Sequence, residues 1–164
     1  MNIELTQGQV AIVDSEDYAE VSQHKWYAWW NPATKSFYAV RNSRPKGTLP
    51  QRIYMHRFIL SAAPPAWVDH ANHDTLDNRR SNIRLCTPSQ NMCNRRYPNK
   101  HGYRGVASTA PGTLKPFLAQ IRLNGKRVIL GYFDTPALAA EVWNEAARKA
   151  YGEFALLNEV EHGS

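Results

Sequence analysis

The dipeptide Asn124-Gly125 constrains the fold of this chain more than any other local feature. A two-residue loop of this kind needs positive φ at both positions, which Asn and Gly tolerate, and its twist suits a tight antiparallel hairpin. The flanking residues 116–123 and 127–132 are rich in apolar and β-branched side chains and read as two strands, with 104–107 as a third. A helix follows. Thr135 is its N-cap, Pro136 its first residue, and Gly152 stops it after about Tyr151. Ala139, Trp143, Ala146 or Ala147, and Ala150 recur at helical spacing. Small residues on that stripe let a helix lie close to a sheet, and Trp143 supplies most of the buried area. The expectation is a three-stranded antiparallel sheet packed on one helix.

Net charge is +6, and its placement matters more than its size. Residues 1–50 carry five basic and five acidic side chains, and 51–96 carry seven arginines against three aspartates. Residues 97–133 hold six basic side chains and no acid, whereas 134–164 hold six acids and two bases. Positive charge is therefore concentrated in a central block, which suits a polyanion such as nucleic acid. With 43% hydrophobic and 21% charged residues, the 164-residue chain has the composition of a folded soluble protein. It has room for one ordinary domain or two small ones. No apolar run is long enough to cross a membrane, and Met1-Asn2-Ile3-Glu4 lacks the basic head and apolar run of a leader, so a cytoplasmic protein is expected. Cys86 and Cys93 lack paired Cys-x-x-Cys spacing and read as reduced, incidental thiols rather than zinc ligands joined to His70 and His73.

The first fifty residues read as a strand at 9–14, a helical turn or two within 17–23, and an aromatic hairpin from 25–30 and 36–41. Its aromatics are expected to be core rather than a base-stacking platform. Residues 55–62 read as a short helix ended by Pro64-Pro65. A strand end at 68–70, a polar loop at 71–81, a second strand at 82–86 and a helix at 88–95 come next, the helix capped by Thr87 with Gln90 at the capping-box position. Residues 97–102 read as a linker, which divides the chain into 1–96 and 103–160.

The strand–loop–strand–helix segment carries the chemistry. Hydrolysis of a phosphodiester needs an activated water, a cation on the scissile phosphate and help for the leaving oxygen. A histidine near its ordinary pKa serves as base, and a carboxylate with an amide oxygen suits a hard cation such as Mg²⁺. Asp69 and His70 are adjacent, Asn82 follows the loop, and Asn91 lies on the helix beyond.

This run resembles the HNH nucleases, also called ββα-metal nucleases, and in particular the homing endonucleases of phage and intron origin. The resemblance implies an α+β fold with a ββα-metal nuclease domain. It implies His70 as general base and Asp69 and Asn91 as ligands of Mg²⁺ or another divalent cation such as Mn²⁺. Asn82 is implied to fix the loop and orient the histidine. The last position is Asn here rather than His, which leaves Asn94 as a competing assignment. His56 recurs in this branch and is expected to make a structural hydrogen bond. Asn72 and Asn78 read as loop-shaping, His73 and Asp74 as solvated, and Arg79, Arg80 and Arg84 stand equally for phosphate contacts and a solvated face.

Tyr103-Arg104-Gly105-Val106, Ala119-Gln120-Ile121-Arg122, the run from Lys126 to Thr135, Ala139-Ala140, Ala146-Ala147 and Leu157-Asn158 resemble the AP-two, or ethylene-response-factor-type, DNA-binding domain. That resemblance implies a sheet laid into the major groove with the helix behind it. It implies that Arg104, Arg122 and Arg127 reach DNA, with Gln120 and Lys126 beside them. Ala107, Gln120 and Ile129 replace the usual Arg, Glu and Trp, so the sequence preference of the plant factors is not implied. Taken together, the chain is expected to be a metal-dependent, site-specific endonuclease of double-stranded DNA in a bacterial or phage-infected cell, with a mobile element or phage as one source and its oligomeric state left open between a monomer and a larger assembly. Whether it nicks or cuts both strands stays open. A DNA-binding regulator with an inactive HNH fold is the alternative, and a zinc-stabilised interaction module is a weaker third reading.

Overall fold

The computed structural model describes residues 1–44, 47, 49–96 and 100–160. The chain separates into two compact units, Met1–Asn91 and Met92–Ser164. The expected linker at 97–102 falls inside the second, and its residues Tyr97, Pro98 and Asn99 lie outside the described residues. Helices combine with small antiparallel sheets, so the α+β class expected from the sequence holds. Among the described residues, no helix is long and apolar enough to cross a membrane.

In the first unit, β1 (Asn2–Glu4) pairs with β2 (Val10–Ile12), and α1 (Ser15–Val21) follows. A three-stranded sheet comes next, with β3 (Tyr27–Asn31), β4 (Ser36–Ser43) and β5 (Gln51–Tyr54) side by side in that order. The strands β1 and β5 were not expected, because three or four residues with polar members show no alternation to read. Core side chains include Val13, Val21, Trp26, Met55 and Ile83. Trp26 brings its indole N–H to the Val21 carbonyl at 2.8 Å, so its burial leaves no donor unmet. Trp30, by contrast, stays about half exposed.

Helix α2 (Met55–Ile59) is three residues shorter than expected. Ser61 takes a left-handed φ of 49°, and the Arg57 guanidinium ties the chain after the helix by donating to the carbonyls of Ala62 and Ala66, both at 2.9 Å. That turn leads into β6 (Trp67–His70), which pairs antiparallel with β7 (Ile83–Cys86). Helix α3 (Pro88–Cys93) then begins with a reciprocal cap: Gln90 N donates to Thr87 Oγ1 at 3.2 Å, and Thr87 N donates to Gln90 Oε1 at 2.8 Å.

In the second unit, β8 (Val106–Ser108), β9 (Phe117–Leu123) and β10 (Lys126–Phe133) form an antiparallel sheet with β9 in the centre. Asn124 and Gly125 take φ of 49° and 78°, the geometry the hairpin demands. Helix α4 (Pro136–Tyr151) starts at Thr135, whose Oγ1 accepts from Leu138 N at 3.3 Å. Ala139, Ala140, Trp143 and Ala147 bury against Val106, Ala119 and Ile121. Asn158 latches the returning C-terminal segment by exchanging bonds with Asn144 and holding both the N–H and the carbonyl of Arg104.

Gly105 is required where it stands. Its φ is 76°, and a Cβ there would lie 2.0 Å from Cδ1 of the buried Trp143 ring. Gly105→Ala is expected to destabilise the second unit by about 2–3 kcal/mol, from overpacking and a disfavoured φ. Urea denaturation followed by Trp143 fluorescence would show it, and an unchanged midpoint would contradict the packing described.

Candidate active site and nucleic-acid face

Strand β6 ends on Asp69-His70, and both side chains are buried. The pairing places Asp69 directly across from Arg84. The Arg84 guanidinium donates to Asp69 Oδ2 through Nε at 3.0 Å and Nη2 at 2.8 Å. The chain leaves the strand through a loop that is locked from within. Asn82 is its anchor: Oδ1 accepts from Asn72 N at 2.9 Å, while Nδ2 donates to the Asp77 carbonyl at 2.7 Å and the Asp74 carbonyl at 3.4 Å. Ala71 N donates to the Asn82 carbonyl at 2.8 Å, closing the hairpin just after His70. The loop is also stitched to β2, because Ile12 N donates to the Leu76 carbonyl and Asn78 N to the Ile12 carbonyl. Asn72 Nδ2 donates to Asp77 Oδ2, and Asn78 Nδ2 to the Leu76 carbonyl, so both amides shape the loop.

Three arginines that stood between phosphate contact and solvated face are ion-paired. Arg79 grips Asp77 at 2.7 Å, Arg80 reaches Asp17 at 2.6 Å and Glu16 at 3.1 Å, and Arg84 holds Asp69. The acidic group Asp14, Glu16 and Asp17 is thereby filled by Arg80, whose N–H also donates to Asp14 Oδ2.

His70 is 6% exposed, and burial pushes its pKa below 6.5. Asn78, Asp69, Asp74 and Asp77 oppose that shift without reversing it. Asn78 faces the ring, although its Oδ1 makes no hydrogen bond of full geometry among the described residues. The result is a neutral imidazole at neutral pH, the form that accepts a proton. The ring stands in an aromatic box. His56 crosses it at 86° with centroids 4.9 Å apart, and Tyr38 lies 6.1 Å away. The structural hydrogen bond expected of His56 is not tested among the described residues; its ring packs edge-on against Tyr38 and His70 and tilted against Tyr54. Its pKa is held well below 6.5, mainly by burial and then by His70 and Arg57.

Both histidines are neutral when folded and titrate at higher pH when unfolded. Their depressed folded pKa values give stability that is present above 6.5 and is lost as pH falls below it. Urea midpoints of the first unit are expected to drop steadily from pH 7 to pH 5, and His56→Phe is expected to flatten that slope. A slope unaltered by the substitution would contradict the burial of a neutral His56.

Asn91 is half-buried on α3, and its side chain makes no hydrogen bond among the described residues. It is the last residue of the unit that holds Asp69 and His70, whereas Asn94 is buried in the other. Asp69 and Asn91 both offer oxygen, the donor set a hard cation takes. Cys86 and Cys93 are free thiols pushed up by burial. Among the described residues they do not gather with His70 and His73 into a metal-holding group.

In the second unit, Gln120, Arg122 and Arg127 share the sheet face turned away from α4. Arg122 and Arg127 sit directly opposite each other across the strands, and among the described residues neither has an ion-pair partner. Like charges in that position repel, and an anion laid on the face relieves them. Lys126 pairs with Leu123 at the turn end and so takes the other register. Arg104 is used differently. Its guanidinium donates to the carbonyls of Met92, Cys93 and Arg95 and lies 5.4 Å over the Trp143 ring. Arg104, Gln120, Arg122 and Arg127 nevertheless line one cavity of about 390 Å³ with Trp143 and Tyr151.

A family model described as HNH endonuclease matches residues 54–93, the stretch from β5 through α3. An HNH endonuclease of Acanthamoeba polyphaga mimivirus is 31% identical over 157 residues, covering 94% of this chain and 77% of that relative. No solved structure matches the chain. The chain belongs to the HNH endonuclease family, a class of nucleases with DNA as the implied substrate.

Proposed function

We propose that the chain is a metal-dependent, site-specific DNA endonuclease with His70 as its general base. The observation that carries this reading is the neutral, buried His70 at the end of β6, set beside Asp69 and fixed by a loop that Asn82 locks. His70 takes the proton from the attacking water. Asn82 keeps the loop, and with it the strand end, in place. Asp69 and Asn91 would hold a divalent cation such as Mg²⁺ or Mn²⁺, and that ion supplies charge neutralisation at the scissile phosphate. The pairing of β6, β7 and α3 is the ββα-metal arrangement on this account.

The second unit delivers the duplex. Its AP-two-like sheet presents Arg122 and Arg127 on one open face, with the half-buried Gln120 beside them and α4 behind. Arg104 supports that face from inside, and Lys126 extends the positive field at the turn. Nicking of a supercoiled plasmid tests the reading: relaxed or linear product is expected with Mg²⁺ and none with EDTA. A regulator with an inactive HNH fold is the second reading. It is favoured by one observation, the Arg84 guanidinium already seated on the Asp69 carboxylate. Salt-sensitive duplex binding without product in either Mg²⁺ or Mn²⁺ would decide for it.

A further inference from the structure

The open face of the second unit carries two features that charge does not explain. Ile129 is a large apolar side chain left 49% exposed on it, and Gln120 lies directly opposite in the pairing of β9 with β10. Ala119 and Ile121 turn toward α4, so Gln120 between them turns away, and its partner Ile129 shares that side. The Gln120 backbone is fixed by its N–H, which donates to the Gly105 carbonyl at 2.8 Å. Its side-chain Oε1 is buried and meets no hydrogen-bond partner among the described residues. An acceptor in that state costs free energy until a donor reaches it. The terminal torsion of glutamine is soft, so the half-buried amide can turn its oxygen outward to meet one.

The next rung on the same side is Arg122 opposite Arg127, the positive pair that draws an anion to this face. A two-stranded ribbon of this kind fits the major groove, where each base pair shows a distinct pattern. Adenine shows an acceptor at N7 and a donor at N6, and its thymine adds a methyl group to the same edge. Gln120 answers the first two, because Nε2 donates to N7 and Oε1 accepts from N6. Ile129 answers the methyl. The other three arrangements fail. Guanine facing Gln120 offers two acceptors and leaves Oε1 unmet, and thymine offers O4 alone. Cytosine supplies a donor, but its pair has no methyl for Ile129. We propose that Gln120 and Ile129 form one reading unit that makes an A·T pair, with adenine on the Gln120 side, a required position of the DNA target. This inference rests on the reading of the open sheet face as the duplex-binding face.

The test uses the full chain in EDTA, where binding is read without cleavage. Targets are selected from a random duplex pool, and affinities are then measured by gel shift. One position is expected to require A·T, with a G·C replacement weakening binding by about 5–150-fold. Deoxyuridine in place of that thymine removes only the methyl group. It is expected to weaken wild-type binding by about fourfold, whereas Ile129→Ala is expected to bind the two DNAs alike. Gln120→Glu, whose carboxylate accepts from cytosine N4, is expected to move the preference at that position from adenine to cytosine. The deoxyuridine comparison changes no protein residue, so it decides the matter even where a variant fails to fold. A selected motif with no A·T requirement, equal wild-type affinity for thymine and deoxyuridine at every A·T position, or a preference unmoved in folded Gln120→Glu would overturn the proposal. Absence of salt-dependent duplex binding by the wild type would instead overturn the reading of the face itself, and the two failures are distinct.

Discussion

His70→Ala is expected to slow DNA cleavage by about 10²–10⁴-fold while leaving DNA affinity nearly unchanged. The size follows from the role. A general base removes the proton as the new bond forms, and the carboxylates and amide nearest to it are engaged elsewhere. Asp69 is held by Arg84, Asp77 by Arg79, and Asn82 is spent on the loop. Affinity is expected to hold because His70 is buried and the open basic face lies on other residues. Gel shift and single-turnover cleavage on the same preparation would check both halves. Cleavage within threefold of wild type would remove His70 from the mechanism, and a parallel collapse of binding would recast it as a structural residue.

The second large effect concerns the paired arginines. Arg122 and Arg127 oppose each other on the sheet face away from α4, with Gln120 one step along β9. Replacing both with alanine is expected to remove most duplex binding. An arginine that reads a guanine edge contributes about 1–3 kcal/mol of discrimination, and an arginine on phosphate lowers the salt slope by about one unit. The single variants separate these roles. If Arg122→Ala relaxes preference at one position and Arg127→Ala weakens all sequences alike, Arg122 reads a base and Arg127 a phosphate. Loss of specific binding should come without loss of fold, since both side chains are exposed and outside the core. Duplex binding unchanged in the double variant would move recognition away from this face.

Features that depend on neighbours in the chain were legible from the residues alone. The Asn124-Gly125 turn, the Thr135-Pro136 start of α4, its small-residue stripe and the Thr87–Gln90 capping box are all local, and each forms. The loop-fixing role of Asn82 is visible in its bonds to Asn72, Asp74 and Asp77. What could not be read depends on register and tertiary approach. Arg84 is fifteen residues from Asp69, and only the β6–β7 register brings them together. Arg80 reaches Asp17 across sixty-three residues. A carboxylate search of the sequence cannot pair such groups, so these arginines looked available for phosphate.

Arg104 shows the same limit in the second unit. A family position pointed to DNA, but the guanidinium meets backbone carbonyls, which carry no sequence signal. The surroundings of His56 were not legible either. The resemblance gave it a structural role, and the short helix that holds it buries Met55 and Ile59 as well. Its approach to His70 comes from the way α2 and β6 pack, which no periodicity encodes.

The most direct measurement of the central claim is cleavage mapping on a random DNA pool. The full chain is incubated with the pool in Mg²⁺, bound and cut molecules are separated, and both are sequenced. The account predicts one enriched motif among bound molecules and breaks at a fixed distance from it in wild type, with the motif kept and the breaks lost in His70→Ala. Breaks scattered without a motif, or an enriched motif with no breaks in the wild type, would contradict it.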